Sequence, residues 1–135
     1  MDRLFLDANV LFSAAYREDA GVGILWSFEH VILCASPYVI DEARRNLAEQ
    51  AQSKRLERLV QSLNLVHAVT APEAILRAVD LPEKNWPILS GAIAAEATHL
   101  ITGDRKHFGR FFGKRVHGIL CLLPSEYIRT STRAL

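Results

Sequence analysis

Two stretches, LFLDANVL at residues 4–11 and HLITGD at residues 99–104, decide the fold of this chain. Each is a short apolar run that ends abruptly in an aspartate, and an apolar run followed by turn residues is typical of a buried strand. Asp7 and Asp104 are therefore predicted to lie just past the carboxyl ends of two strands, where open α/β sheets bind ligands. Two carboxylates at one sheet edge repel each other unless a cation lies between them. The pattern predicts a divalent-metal site.

The length and composition are those of one globular domain. The chain has 135 residues, of which 50% are hydrophobic and 23% charged, and we predict a domain over 1–130 followed by a loose tail over 131–135. No stretch reaches the roughly 18 apolar residues of a membrane span and the start does not resemble a secretory signal, so we expect no membrane association. Cys34 and Cys121 lie in apolar runs, which favours buried thiols in the cytoplasm, with a disulfide as the alternative.

Strands and helices alternate along the chain, which is typical of βαβ units and a mainly parallel sheet. We therefore expect a three-layer, doubly wound α/β fold with about five mainly parallel strands flanked by helices. The predicted strands cover residues 3–6, 31–35, 65–69, 100–102 and 119–122.

The helix boundaries are predicted from caps and from apolar spacing. Ser36 followed by Pro37 begins a helix, and a second helix restarts at Ser53. Asn85 is placed to cap a helix over residues 86–97. The apolar stripe of the helix that begins at Ser36 is predicted to comprise Ile40, Ala43, Leu47 and Ala51.

Each candidate acid also has a purely structural interpretation. Asp7 could serve as a helix N-cap, a role compatible with ligand binding, and Asp104 could be an ordinary turn aspartate. Glu42 lies near the start of its helix, where the helix dipole favours acids whatever their function. Asn9 and Thr102 are predicted to orient the neighbouring carboxylates.

Basic residues are concentrated after position 100. The formal net charge is only +1, but Arg105, Lys106 and Arg110 directly follow the second strand-end aspartate. A basic patch beside an acidic metal site suits a phosphodiester substrate, because backbone phosphates must be attracted before they are cut. The alternative is a solvated basic loop.

Taken together, these residues resemble the PIN-domain family, and in particular the VapC-like ribonuclease toxins of type II toxin–antitoxin pairs. The resemblance spans nearly the whole chain, and only the combination of its parts is specific. It rests on LDANVL at 6–11, Glu42, LPEKNWPIL at 81–89 with AIA at 92–94, and THLITGDRKHF at 98–108.

The resemblance implies a metal-dependent endoribonuclease that uses Mg²⁺ or Mn²⁺ to activate a water molecule. Asp7, Glu42 and Asp104 would be the metal ligands, with Asn85 assisting, and Arg105, Lys106 and Arg110 would bind the RNA backbone. The implied partners are RNA, a small antitoxin protein and a second copy of the chain in a homodimer.

Asn85 departs from the family pattern, which places a third acid immediately before the Pro-Ile-Leu helix. An amide keeps one oxygen donor but loses a full negative charge, and magnesium prefers carboxylate ligands. Three explanations are open: a weaker natural site, a protein that binds without cutting, or an inactivating change in a toxic protein. The alternative function is therefore an RNA- or protein-binding module. A phosphatase with Asp7 as nucleophile is a more distant alternative, because Asn9 stands where a second acid would be needed.

Overall fold

The computed structural model describes residues 1–67 and 70–133, which form a six-stranded sheet flanked by helices. The strands are β1 (Asp2–Leu6), β2 (Val31–Ala35), β3 (Asn64–Leu65), β4 (His99–Ile101), β5 (Arg115–Val116) and β6 (Ile119–Leu122). The helices are α1 (Ala8–Tyr16), α2 (Pro37–Asn46), α3 (Gln50–Val60), α4 (Glu73–Val79), α5 (Trp86–Ala94), α6 (Arg105–Phe108) and α7 (Pro124–Arg133). Short 3-10 helices cover Gly21–Ser27, Glu83–Asn85 and Gly109–Phe111.

The sheet changes direction of growth between β1 and β4. The strand order is β3-β2-β1-β4-β6-β5, and every neighbouring pair is parallel except β5 with β6. The chain first builds outward from β1 to β3 and then returns to the other side of β1. Such a switch point leaves a crevice at the carboxyl ends of the two central strands. The predicted α/β fold is confirmed.

The centre of the sheet is entirely apolar. One row of paired residues runs Cys34, Phe5, Leu100 and Cys121 across β2, β1, β4 and β6, and all four are buried. Parallel strands buried on both faces need such continuous apolar runs. The two cysteines are free; three strand spacings of about 4.8 Å separate them, so a disulfide between them is impossible. Burial raises the pKa of the Cys121 thiol to about 11.

Several predicted boundaries were wrong. The sheet has six strands rather than about five, because β5 pairs antiparallel with β6 after the turn at His117 and Gly118. The helix that begins at Ser36 ends at Asn46, where Leu47 takes an extended backbone, and α3 begins at Gln50 rather than at Ser53.

Three further differences concern the ends of elements. β3 ends at Leu65, and the last two residues of the strand predicted over 65–69 lie outside the described residues. α5 ends at Ala94, three residues short of the predicted end. α7 continues to Arg133, beyond the predicted domain boundary at 130, whereas residues 134–135 of the predicted tail are outside the described part. Within residues 1–67 and 70–133, every helix is too short or too polar to cross a membrane.

Gly91 in α5 lies against the ring of Phe5 in β1. A Cβ atom at this position would lie 2.8 Å from Phe5 Cε2, and the ring is fully buried and has no room to withdraw. We expect Gly91→Ala to lower the free energy of unfolding by about 1–3 kcal/mol, because overpacking outweighs the gain in helix propensity. Urea denaturation measures the change, with Gly23→Ala as the control because no atom lies within 4 Å of its added Cβ. Equal stability of the two variants would contradict this contact.

Tyr127 anchors α7 to the first strand. Its hydroxyl donates a 2.6 Å hydrogen bond to Asp2 Oδ2, and burial together with this bond raises its pKa to about 12. A raised phenol pKa stabilises the fold below the unfolded value of about 10, and this stabilisation is lost as the pH rises towards 12. Between these pH values the wild type should lose about 2 kcal/mol more stability than Tyr127→Phe. Parallel pH profiles of the two proteins would contradict this role.

Candidate functional site

Asp7 is the buried centre of the candidate site. It is 5% exposed and lies between the end of β1 and the start of α1. Its Oδ1 accepts a hydrogen bond from the Ala8 N–H at 2.7 Å, which makes it the N-cap of α1. Its Oδ2 accepts from Thr102 Oγ1 at 2.8 Å and from Asn9 Nδ2 at 3.2 Å. The capping interpretation is therefore correct, and the second oxygen is oriented by two further side chains.

Thr102 and Asn9 join the ends of β1 and β4. Besides its bond to Asp7, the buried Thr102 Oγ1 accepts from the Asp104 N–H at 3.1 Å and from Asn9 Nδ2 at 3.3 Å. Asn9 Oδ1 accepts from the Gly103 N–H at 2.7 Å. A Cβ at Gly103 would lie 3.2 Å from that oxygen, so a glycine suits the close approach. Thr102 and Asn9 therefore lie where the sequence predicts groups that orient the neighbouring carboxylates.

Asp104 precedes α6 and is engaged by His107 one turn later. Its Oδ1 accepts from the His107 N–H at 3.0 Å, and its Oδ2 lies 2.8 Å from His107 Nδ1. Burial acts to raise the pKa of this carboxyl, but the bonds from the His107 ring and from the backbone N–H groups of His107 and Lys106 outweigh it, so the pKa is lowered. Asp104 is therefore the N-cap of α6 rather than an ordinary turn aspartate, and its carboxylate is stabilised in the charged form.

The predicted acids meet in one open pocket of about 470 Å³. Asp7, Glu42, Asn85 and Asp104 all line it, although they come from four separate parts of the chain. The pocket is also lined by residues that the sequence analysis did not place in the site, namely Ala8, Phe12, Tyr38, Ala43, Asn46, Lys84, Ile88 and His107. A signal for two of them existed in the sequence, because Tyr38 and Asn46 lie four residues either side of Glu42 in a helix.

Asn85 occupies the N-cap position of α5, as predicted, but its side chain does not cap the helix. It ends the 3-10 helix Glu83–Asn85 with φ −95° and ψ −4°, and its side chain makes no capping bond. A capping residue needs an extended backbone to turn its side chain back towards the first N–H groups of the helix, and the 3-10 helix instead runs straight into α5. Asn85 is 8% exposed, and its Oδ1 is buried without a hydrogen-bond partner in the protein. The acceptor capacity of that oxygen is therefore unused within the protein.

The charges of the pocket act on Asp7. Burial raises the pKa of its carboxyl, the bonds from Thr102 and Ala8 lower it, and the charges of Glu42 and Asp104 raise it, with a net upward shift. Glu42 and Asp104 are therefore both close enough to repel the Asp7 carboxylate. A cation in the pocket would relieve this repulsion.

The donor set fits a hard divalent cation in kind, since it consists of carboxylate oxygens and the unpaired amide oxygen of Asn85. It does not form a closed cage: in residues 1–67 and 70–133, no three His, Cys, Asp or Glu side chains come together tightly enough to coordinate one ion. Mg²⁺ keeps several of its own waters and is commonly bound through one or two carboxylates. The residues therefore fit an ion that retains most of its hydration shell.

The predicted RNA-binding residues lie outside the pocket. Arg105 and Lys106 are exposed on α6. Arg110 is bonded to Asp80 and lies over the Phe111 ring, 4.7 Å from its centroid. In the described part of the chain, Lys84 is the single lysine or arginine that lines the pocket itself.

Comparison with known proteins agrees with this architecture. The family model described as PIN domain matches residues 3–106, from β1 into α6. The chain therefore belongs to the PIN domain family.

The fold is also similar to solved structures. VapBC2 from Rickettsia felis, bound to a DNA fragment from its promoter, contains a chain with a TM-score of 0.61 and 15% identity, covering 88% of this chain and 96% of that one. VapBC-1 from nontypeable Haemophilus influenzae gives a TM-score of 0.56 and 17% identity, covering 91% and 98%. At these identities the likeness is one of fold. No curated protein matches the chain.

The hydroxyl of Thr102 is expected to stabilise the folded protein. Thr102→Val keeps the shape but removes the donor to Asp7 and the acceptor for the Asp104 N–H. We expect it to lower the free energy of unfolding at neutral pH by about 1–3 kcal/mol, because buried polar partners lose their bonds. Urea denaturation measures this loss. Thr102→Ser retains the hydroxyl and should be the more stable of the two variants; the reverse order would show that the methyl group matters more.

Proposed function

We propose that this chain is a metal-dependent endoribonuclease and the toxin of a type II toxin–antitoxin pair. The observation that carries the proposal is the meeting of Asp7, Glu42, Asp104 and the unpaired Asn85 oxygen in one pocket at the switch point of the sheet. Membership of the PIN domain family supports the nuclease class. The two VapBC structures support a toxin-like role and a small antitoxin partner.

The carboxylates of Asp7, Glu42 and Asp104 would bind Mg²⁺ or Mn²⁺, directly or through water, with the Asn85 oxygen assisting. When bound, the ion supplies an activated water and neutralises charge that develops on the scissile phosphate. Thr102 and Asn9 keep the Asp7 carboxylate in one orientation through their hydrogen bonds. His107 does the same for Asp104. None of these side chains needs to act as a nucleophile.

The substrate phosphates would first meet the exposed cations on α6. Arg105 and Lys106 follow Asp104 directly, so an RNA backbone that contacts them passes the mouth of the pocket. Lys84 would contact the backbone inside the pocket and offset part of its negative charge. Arg110 is already paired with Asp80, so we assign it a smaller share of RNA binding than Arg105 and Lys106. A homodimer remains part of this proposal.

A second candidate function is a PIN domain that binds RNA or protein without cutting. Asn85 favours it, since the pocket has one negative charge fewer than the family pattern, and so does the open arrangement of the remaining acids. Both weaken the attraction for a divalent ion. The two candidates differ in whether this chain already binds metal and cuts.

The decisive experiment compares Mn²⁺ binding by calorimetry and cleavage of a mixed RNA pool in the wild type and Asn85→Asp. If the site is a working nuclease centre, the wild type binds Mn²⁺ and cuts, and Asn85→Asp binds about tenfold more tightly because one more carboxylate faces the ion. If Asn85→Asp alone binds and cuts, the binding-module function is correct. If neither protein binds Mn²⁺ or cleaves RNA, the proposed metal site is refuted.

Asp7→Asn provides the matched control for contamination by other nucleases. It keeps the size of the side chain while removing the central charge, and we expect it to reduce cleavage about 100-fold or more. Chelation with EDTA should abolish cleavage by the wild type, and added Mn²⁺ should restore it. Cleavage that survives both the substitution and the chelator would originate elsewhere.

A further inference from the structure

One face of α2 lines the pocket with an aromatic ring, a carboxylate and an amide. Tyr38, Glu42 and Asn46 succeed one another at intervals of four residues and therefore share this face, and all three line the pocket. The column is about 12 Å long, from the 1.5 Å rise per residue of an α-helix. An aromatic ring thus lies one helical turn from a carboxylate of the acidic site.

The Tyr38 ring is unusually free for an aromatic side chain. It is 42% exposed, and among residues 1–67 and 70–133 it has neither a ring partner nor a hydrogen bond through its hydroxyl. Tyr16 is similarly exposed, at 52%, but its ring packs against Phe12 with centroids 5.4 Å apart. Tyr38 therefore lines the pocket with a half-exposed ring that no aromatic ring of the described residues covers, whereas Tyr16 does not line the pocket and packs on Phe12, which does.

The pocket is larger than a hydrated ion requires. Six waters occupy roughly 180 Å³ at about 30 Å³ each, which is less than half of the 470 Å³ pocket. The lining of the pocket also includes the largely apolar side chains of Phe12, Tyr38 and Ile88. The remaining space suits a flat, partly apolar group linked to a charged one.

We propose that Tyr38 stacks on an unpaired base of the RNA beside the scissile phosphate and so makes the site selective for single-stranded substrate. This inference rests on the proposed nuclease function and identifies a specificity-determining residue for it. Unpaired bases stack readily on aromatic side chains, whereas a base inside a duplex has both faces covered. The phosphate and base of one nucleotide are separated by a ribose, and a helical rise of about 6 Å separates Tyr38 from Glu42 along α2.

The test uses short single-stranded oligouridylates, each with one 2-aminopurine, whose fluorescence falls when the base stacks. The riboses carry 2′-O-methyl groups, and binding is measured in Mg²⁺ by fluorescence anisotropy together with the quenching. Tyr38→Phe keeps the ring and Tyr38→Ala removes it, while Ile24→Ala is the control for loss of a similarly exposed apolar side chain outside the pocket. A duplex of the same length completes the set.

We expect strong quenching at one position of the oligonucleotide in the wild type, Tyr38→Phe and Ile24→Ala. Tyr38→Ala should lose the quenching and bind single strands roughly 5- to 10-fold more weakly, at the lower end of the range for base–aromatic stacking. Binding of the duplex should be weak and unchanged in all four proteins. Thermal unfolding of each variant verifies that the fold is retained.

Three results would overturn the inference: equal binding and quenching in Tyr38→Ala, a wild type that binds no oligonucleotide, or a Tyr38→Phe that behaves like Tyr38→Ala. If Tyr38→Ala instead loses a protein partner while RNA binding is intact, the ring is a protein contact and base stacking is refuted. The nuclease proposal fails separately, through cleavage that does not depend on Asp7. The two failures are therefore distinguishable.

Discussion

The parallel pairing of β1 with β4 is the constraint on which the site depends. It aligns Leu6 with Ile101, so the next residues of each strand, Asp7 and Thr102, emerge side by side at the sheet edge. The 2.8 Å bond between Thr102 Oγ1 and Asp7 Oδ2 then joins the two strand ends. A shift of one residue in this register would turn every side chain of β4 to the opposite face and separate the pair.

The site combines carboxylates in opposite electrostatic situations. Asp7 is buried and repelled by its acidic neighbours, so its charged form is disfavoured, whereas Asp104 lies nearer solvent and is stabilised by His107. Glu42 is half-buried and makes no side-chain bond in the described part of the chain. The cost of burial and of repulsion between like charges therefore falls mainly on Asp7, which is also the carboxylate that the hydrogen-bond network fixes most firmly. An arrangement of this kind is organised before a ligand arrives, at some expense in stability.

Much of the fold and the acidic residues of the pocket could be predicted from the sequence. Asp7 and Asp104 were identifiable because each follows a short apolar strand, and Ser36 and Pro37 marked the start of α2 correctly. Glu42 needed the family resemblance, since an acid early in a helix has an ordinary explanation. Side-chain contacts across elements were beyond sequence patterns: nothing in the neighbourhood of Arg110 indicates its pairing with Asp80, thirty residues away. The spacing of apolar residues suggested one helix through Ala51, whereas α2 ends at Asn46. The same spacing continues into α3, and spacing alone does not show where the chain changes direction between two helices.

Both outer strands of the sheet, β3 and β5, are only two residues long. Exposed strand edges are the places where one protein chain adds to the sheet of another, and short edges offer few unpaired backbone groups for such growth. Another molecule that associated with this sheet by strand addition would gain few hydrogen bonds at either margin. Self-association into extended sheets is thereby discouraged, and a stable assembly must be built on the helices and loops that surround the sheet.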